Sequence, residues 1–162
     1  MKMIWALLPI LISIQAFGSQ LIIRVGEEPP VTLTHDNIIT QFEPSSFATS
    51  LPWYPDIKEF TGFKVSELLN QLEIDDAFSV SFIALNDYAA SSQIADINKY
   101  EPIIAYQVDG KKMRVREKGP YWLLFNLDKY PETNNAVFHS QMVWQIDEIM
   151  IHRRQDVDEN EL

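Results

Sequence analysis

The chain is 162 residues long, enough for one domain of ordinary size with a continuous core, and it carries 13 Lys plus Arg against 23 Asp plus Glu, a formal net charge of −10. Such a balance argues against nonspecific binding to nucleic acid or anionic lipid, because the long-range field repels both. Cys is absent, which excludes thiol catalysis, thiolate metal ligation, disulfide support and lipid attachment through an N-terminal Cys.

The chain opens on "MKMIWALLPILISIQAFGSQ", with Lys2 in front, an uncharged apolar stretch from Met3 to Ile14, and small residues at Ala16 and Gly18. This is the pattern of a secretory signal peptide over residues 1–18, cleaved after Gly18 or nearby. The apolar stretch is short for a membrane span, which needs roughly 20 residues, and no later segment approaches that length. The expected mature protein, about 144 residues, is exported, with no membrane insertion after cleavage. The periplasm of a Gram-negative host is the most economical location, and full secretion is the alternative.

From Leu21 to Val25 the chain is β-prone; Gly26, Pro29 and Pro30 then force a turn before a second extended piece, Val31 to Thr34. "HDNIITQF" suits one or two helical turns. "PSSFATSLPWYP", residues 44–55, suits an irregular loop around a single short strand and carries Trp53 and Tyr54. After Gly62, the positions Val65, Leu68, Leu69 and Leu72 follow the i, i+3, i+4, i+7 spacing of an amphipathic helix. "AFSVSFIAL" alternates, with Phe78, Val80, Phe82 and Ala84 on one strand face and Ser79 and Ser81 on the other.

That strand is interrupted at Asn86, Asp87 and Tyr88 before a second extended segment in "ALNDYAASSQIADI". "PIIAYQVDGKKM" predicts a strand, an Asp109-Gly110 turn and a return strand. "YWLLF", residues 121–125, is apolar on both faces and suits a central strand. "VWQIDEIMIH" is the expected last strand, and "RRQDVDENEL", residues 153–162, an acidic flexible tail. With no internal repeat or linker, residues 19–152 form one β-rich α+β domain on this pattern.

Two segments concentrate polar chemistry. "KKMRVREK", residues 111–118, holds five of the 12 basic residues that follow the leader. If extended, it places Lys112, Arg114, Arg116 and Lys118 on one face, a row able to bind phosphate, sulfate or carboxylate. The alternative is a solvated edge strand whose charges discourage edge-to-edge pairing, and charge runs are common on exposed faces. Asn86, Asp87 and Tyr88 have two readings as well: a tight turn stabilised by Asx bonds to nearby backbone, or polar groups presented to a pocket.

His35, His139 and His152 lack the paired spacing of a zinc site and read as surface or core residues. Neither a nucleophile elbow nor a Gly-rich phosphate loop occurs. Trp53, Trp122 and Trp144 suit core positions or pocket walls.

The series "FTGFKVSELL", "ALNDYAASSQIAD", "IIAYQVDGKKMRVREKGPYWLLF" and "VWQIDEI", in this order, resembles the molybdopterin-binding oxidoreductase domain, and is most similar to the small exported single-domain members of that group. The resemblance implies a mixed β-sheet with short helices, the sulfite-oxidase-type fold, and a cleft that in the enzymes holds a pyranopterin carrying molybdenum. It implies Asn86, Asp87 and Tyr88 at the cleft edge, Arg116, Lys118 and Gly119 in an anion-facing segment, and Trp53 on the loop that supplies the enzymes' metal-binding Cys.

This chain departs from that pattern in having no Cys to hold the metal. Thr49 and Ser50 are the oxygen candidates on the same loop, and oxygen is a harder donor with different electronic consequences. The expectation is therefore a noncatalytic relative with no cofactor, binding a small anionic or polar ligand through Trp53, Asn86, Asp87, Tyr88, Arg114, Arg116, Lys118 and Gly119, and reporting it to a membrane-bound sensor protein. One alternative is a molybdopterin-dependent oxidoreductase with a non-Cys metal ligand. A second is a periplasmic protein-interaction module with its docking surface around Trp53 and Tyr54.

Overall fold

The computed structural model describes residues 19–154, so the expected signal peptide, residues 1–18, and the expected tail from residue 155 lie outside the described residues. Alternation of apolar and polar side chains governs the first strand, β1 (Gln20–Val25), where Leu21, Ile23 and Val25 face inward and Ile22 and Arg24 are less covered. After the proline-marked turn, β2 (Val31–Thr34) returns antiparallel to β1. Thr34 then caps α1 (His35–Gln41): its hydroxyl accepts from the Asn37 amide at 3.1 Å, and the Asn37 side chain accepts from the Thr34 amide at 2.9 Å.

The proline-rich stretch does hold one short strand, β3 (Ser45–Thr49), paired with β4 (Lys58–Lys64). The helix expected from Val65 is α2 (Val65–Gln71), with Val65, Leu68 and Leu69 buried and Leu72 at its end packed on the core. Next come β5 (Ala77–Ala84), β6 (Ala89–Gln93), α3 (Ile94–Tyr100), β7 (Ile103–Val108) and β8 (Lys111–Lys112). Beyond them lie β9 (Trp122–Leu124), α4 (Ala136–Gln141) and β10 (Ile146–Arg153).

These elements make an α+β, strand-rich fold with short helices and two open sheets. One sheet has the order β2-β1-β10-β5-β6 and is mixed, since β10 runs parallel to β1 and antiparallel to β5. The other runs β3-β4-β7, with β8 and β9 both bonded to β7, and is antiparallel throughout. A single buried cluster takes residues from both sheets, including Ile23, Phe82 and Ile149 from the first and Phe60, Phe63 and Ile104 from the second.

β9 stitches the sheets together. Besides pairing with β7, it is bonded to the segment that leads into β10: the Leu123 amide donates to the Val143 carbonyl at 2.9 Å, and the Ile146 amide donates to the Tyr121 carbonyl at 3.0 Å. "YWLLF" is apolar on both faces because it is enclosed on both, and all five residues are buried.

Three expectations need correction. Phe78 is 44% exposed while Ser79 is buried, because a register shift between β5 and β10 at this point reverses the alternation; Val80, Phe82 and Ala84 do face inward. "IADI" is not extended but begins α3, whose Ile97 and Tyr100 are buried. The last strand runs through Arg153, one residue into the expected tail, and the Arg153 Nε donates to both carboxylate oxygens of Asp76 at 2.8 and 3.0 Å.

Candidate functional site

The basic segment does not form the expected row. β8 ends at Lys112 and Met113 turns inward to 1% exposure, its amide donating to the Tyr106 carbonyl at 3.0 Å. Val115–Glu117 then form a single 3-10 turn, and Lys118 ends it in the left-handed region at φ 71°. An apolar anchor followed by a tight turn breaks the two-residue repeat, so Lys112, Arg114, Arg116 and Lys118 share no strand face. Arg114 is ion-paired with Glu117, its Nε and Nη2 each donating to one carboxylate oxygen. Arg116 is exposed on the turn and has no ion pair with a described residue.

Gly119 is a packing position. A Cβ there would lie 2.4 Å from the Met113 carbonyl oxygen, and the residue precedes Pro120 through a cis peptide bond. Its place in an anion-facing segment is not borne out by any contact of its own.

Lys118 carries the segment's chemistry. Its ammonium lies 3.7 Å from the centroid of the Trp144 ring, with the Trp122 and Trp53 rings at 5.5 and 5.8 Å, and it meets no carboxylate among the described residues. Burial lowers its pKa from the ordinary lysine value. The negative faces of the three indoles act the other way, favouring the ammonium. The three rings touch one another, with Trp53 5.5 Å from Trp144 and 5.6 Å from Trp122. Trp122 fixes the group by donating its indole N–H to the Met142 carbonyl at 3.0 Å.

The hairpin tip between β5 and β6 is both a turn and a wall. Asp87 adopts φ 65°, its amide donates to the Ala84 carbonyl at 2.9 Å, and the Tyr88 amide donates to the Asn86 side-chain oxygen at 3.2 Å. The tip is tied to the chain before β10: the Tyr88 hydroxyl donates to the Ser140 carbonyl at 2.7 Å and the Leu85 amide to the Gln145 carbonyl at 3.0 Å.

Between these parts lies a cavity of about 410 Å³. The 50–57 loop contributes Trp53, and the β5–β6 hairpin contributes Ala84, Asn86 and Tyr88. The remaining wall is the stretch from α4 to β10, with His139, Ser140, Met142, Val143 and Trp144. α4 is started by Asn135, whose side-chain oxygen accepts from the Val137 and Phe138 amides at 2.9 and 3.3 Å. His139 packs edge-on against Trp53 at 5.8 Å and its Nε2 is bonded to the Asn134 side chain at 2.9 Å.

Three of the eight anticipated residues, Trp53, Asn86 and Tyr88, therefore line one cavity, and Lys118 rests on two of its walls, Trp53 and Trp144. Asp87, Arg114, Arg116 and Gly119 do not line it. Sequence reasoning missed His139, Ser140, Met142 and Val143. Their one signal is "NNAVFHSQMVW", where Asn135 caps a helix too short to show a periodic face.

The walls suit a compact ligand with a flat apolar body, because three of the side chains are large aromatic rings with Met142 and Val143 beside them. Polar capacity is sparse and specific. Asn86 uses its oxygen on the Tyr88 amide and keeps its NH2 group, while Tyr88 and Ser140 use their hydroxyl protons on carbonyls and keep acceptor lone pairs.

The residues do not fit a molybdenum centre held through a protein side chain. No thiolate exists in the chain. Thr49 is buried and accepts from the Asp128 amide at 3.2 Å, Ser50 is bonded to the Asp128 carboxylate through both amide and hydroxyl, and neither lines the cavity. Among the described residues no three His, Asp or Glu side chains are grouped to hold a metal ion.

No protein-family model matches this chain, and no curated protein matches it.

Proposed function

We propose that this chain is an exported, noncatalytic relative of the molybdopterin-binding oxidoreductase domain, of sulfite-oxidase-like fold, whose cleft binds a small polar or anionic ligand with a flat ring. The ring is taken up among Trp53, Tyr88 and Trp144, its polar edge is read by Asn86 and Ser140, and an anionic substituent is drawn to Lys118. The observation that carries this reading is a cavity with three large aromatic walls, two of which, Trp53 and Trp144, also carry the Lys118 ammonium, which meets no carboxylate among the described residues. An ammonium held this way attracts a ligand's anion without first breaking an ion pair.

The signal-like pattern over residues 1–18 supports export to the periplasm, where the ligand's presence would be reported to a membrane-bound sensor. Among the described residues no helix is long and apolar enough to cross a membrane. The Asn86, Tyr88 and Ser140 side chains of the cavity are bonded to backbone groups, which suits recognition, and among the described lining residues the Ser140 hydroxyl donates to the Val137 carbonyl and not to His139.

Thermal shift with three probes tests the reading: pterin-6-carboxylate, quinoline-2-carboxylate and the flexible dianion adipate. The two flat carboxylates should raise Tm, adding about 2.7 kcal/mol at a hundred times their Kd, and adipate should not. Trp53→Leu and Asn86→Leu should remove most of the response, while Phe78→Leu, at the far end of β5, should keep it. No shift with either flat probe at millimolar concentration, or an undiminished shift in Trp53→Leu, would overturn the proposal.

A further inference from the structure

Four of the described lysines face acids. Lys58 pairs with Asp109 at 3.0 Å and Lys64 with Glu101 at 2.6 Å, while Lys99 and Lys129 approach Glu132 and Glu101 at 3.8 Å. Lys111 and Lys112 stand exposed on β8, beside Asp109 and His35. Lys118 differs from all six, being partly buried against three indole rings with no acid among the described residues paired to it. The carboxylate nearest in sequence, Glu117, is held by Arg114.

An amine reacts with an electrophile only as the free base, so its surroundings decide its reactivity. Bonds to Asp109, the Tyr100 hydroxyl and the Tyr130 hydroxyl raise the pKa of Lys58, Lys99 and Lys129, whereas burial lowers that of Lys118. The indole faces favour the ammonium and act the other way. A ring face nevertheless holds a cation without a directional bond, and the flexible four-carbon stem can turn the nitrogen toward a carbonyl.

The rings also select the chemistry. Acylation of the nitrogen would erase its charge and lose the contact with the indole faces. Condensation with an aldehyde gives an imine, whose protonated form keeps the positive charge where the rings can hold it. Two of the three rings, Trp53 and Trp144, are walls of the cavity, which offers an aromatic substituent a seat next to the amine.

We propose that Lys118 is a covalent capture site for aromatic aldehydes, with the aldehyde's ring seated beside Trp53 and Trp144. The free amine adds to the carbonyl carbon as one proton passes from nitrogen to oxygen; the hydroxyl then leaves as water with the second amine proton, and the C=N bond forms. Nothing is oxidised or reduced. Partial burial keeps back the water that would hydrolyse the imine. The seat of the ring rests on the ligand reading, and the reactivity of the amine does not.

Incubation of the protein with 2-naphthaldehyde and sodium cyanoborohydride, which reduces the imine to a stable secondary amine, tests the proposal when the labelled lysines are mapped by peptide mass spectrometry. Seating of the ring should make Lys118 react about tenfold faster than the exposed Lys111 and Lys112. Butanal, which has no ring to seat, should show no such preference. Trp53→Leu and Trp144→Leu should each remove most of the preference, and Lys118→Arg should lose the fast-forming adduct, with circular dichroism melts confirming that the variants are folded. The comparison of the two aldehydes uses wild type alone, so it decides the proposal whether or not the Trp variants fold. Even labelling of Lys111, Lys112 and Lys118, or a preference for Lys118 that butanal shares, overturns the proposal. So does an undiminished preference in the folded Trp variants. The quinoline-2-carboxylate thermal shift separates the two readings: a shift without Lys118 preference sinks covalent capture alone, and a Lys118 preference without a shift counts against the ligand reading alone.

Discussion

At Lys118 an ammonium is held by indole faces and by no acid among the described residues, and the neighbouring residues explain that placement. The Lys118 carbonyl accepts from the Gln145 amide at 3.1 Å, and the Gly119 amide donates to the Arg114 carbonyl at 2.9 Å, so the backbone aims the side chain. Contact with an aromatic face contributes about 0.5 to 2 kcal/mol depending on desolvation, comparable with a surface ion pair. Gly119 makes the tight approach to Met113 feasible. Gly119→Ala should therefore cost at least about 2 kcal/mol by overpacking, read as a lower urea midpoint, and should disturb the 113–118 turn. Residue identity alone was informative for Trp53, Asn86 and Tyr88, since large aromatics in a proline-bounded loop and an Asx turn ending in Tyr have few places to go. It was uninformative for His139 and Ser140, common residues whose role comes from Trp53 and Tyr88 reaching them from distant segments.

Among the elements, the two that form the cavity differ in how they are held. The β5–β6 hairpin is bonded along its strands and clamped at its tip by two bonds to the 140–145 stretch. α4 has six residues, none of them fully buried, and depends on its Asn135 cap. Asn135→Ala should cost about 1 kcal/mol of stability, and because α4 carries His139 and Ser140 it should also weaken flat-probe binding, by less than Trp53→Leu does. Equilibrium unfolding and the same probe titration check both effects.

Strong periodicity made β1, α2 and the β7–β8 hairpin legible before folding was considered, the last through Asp109 and Gly110, both of which adopt the positive φ that its turn requires. α3 and α4 were not legible: α3 runs straight on from β6 with no turn residue between them, and α4 buries no residue and so shows no apolar face. The basic row failed for a tertiary reason: burial of Met113 outweighed the extended alternation of its charged neighbours.

At the scale of the whole molecule, β9 and the 142–146 stretch join two sheets, and the cavity opens where they are joined. Packing alone supports this arrangement, with a core cluster drawn from both sheets and no disulfide.

The central claim is that the cavity retains a small organic molecule and no molybdenum. Native mass spectrometry of protein purified from the cell envelope of a cofactor-competent host tests it most directly. The expected spectrum shows a small-molecule adduct on wild type that is absent from Trp53→Leu. An adduct bearing the isotope pattern of molybdenum, or the same adduct on both proteins, would contradict it.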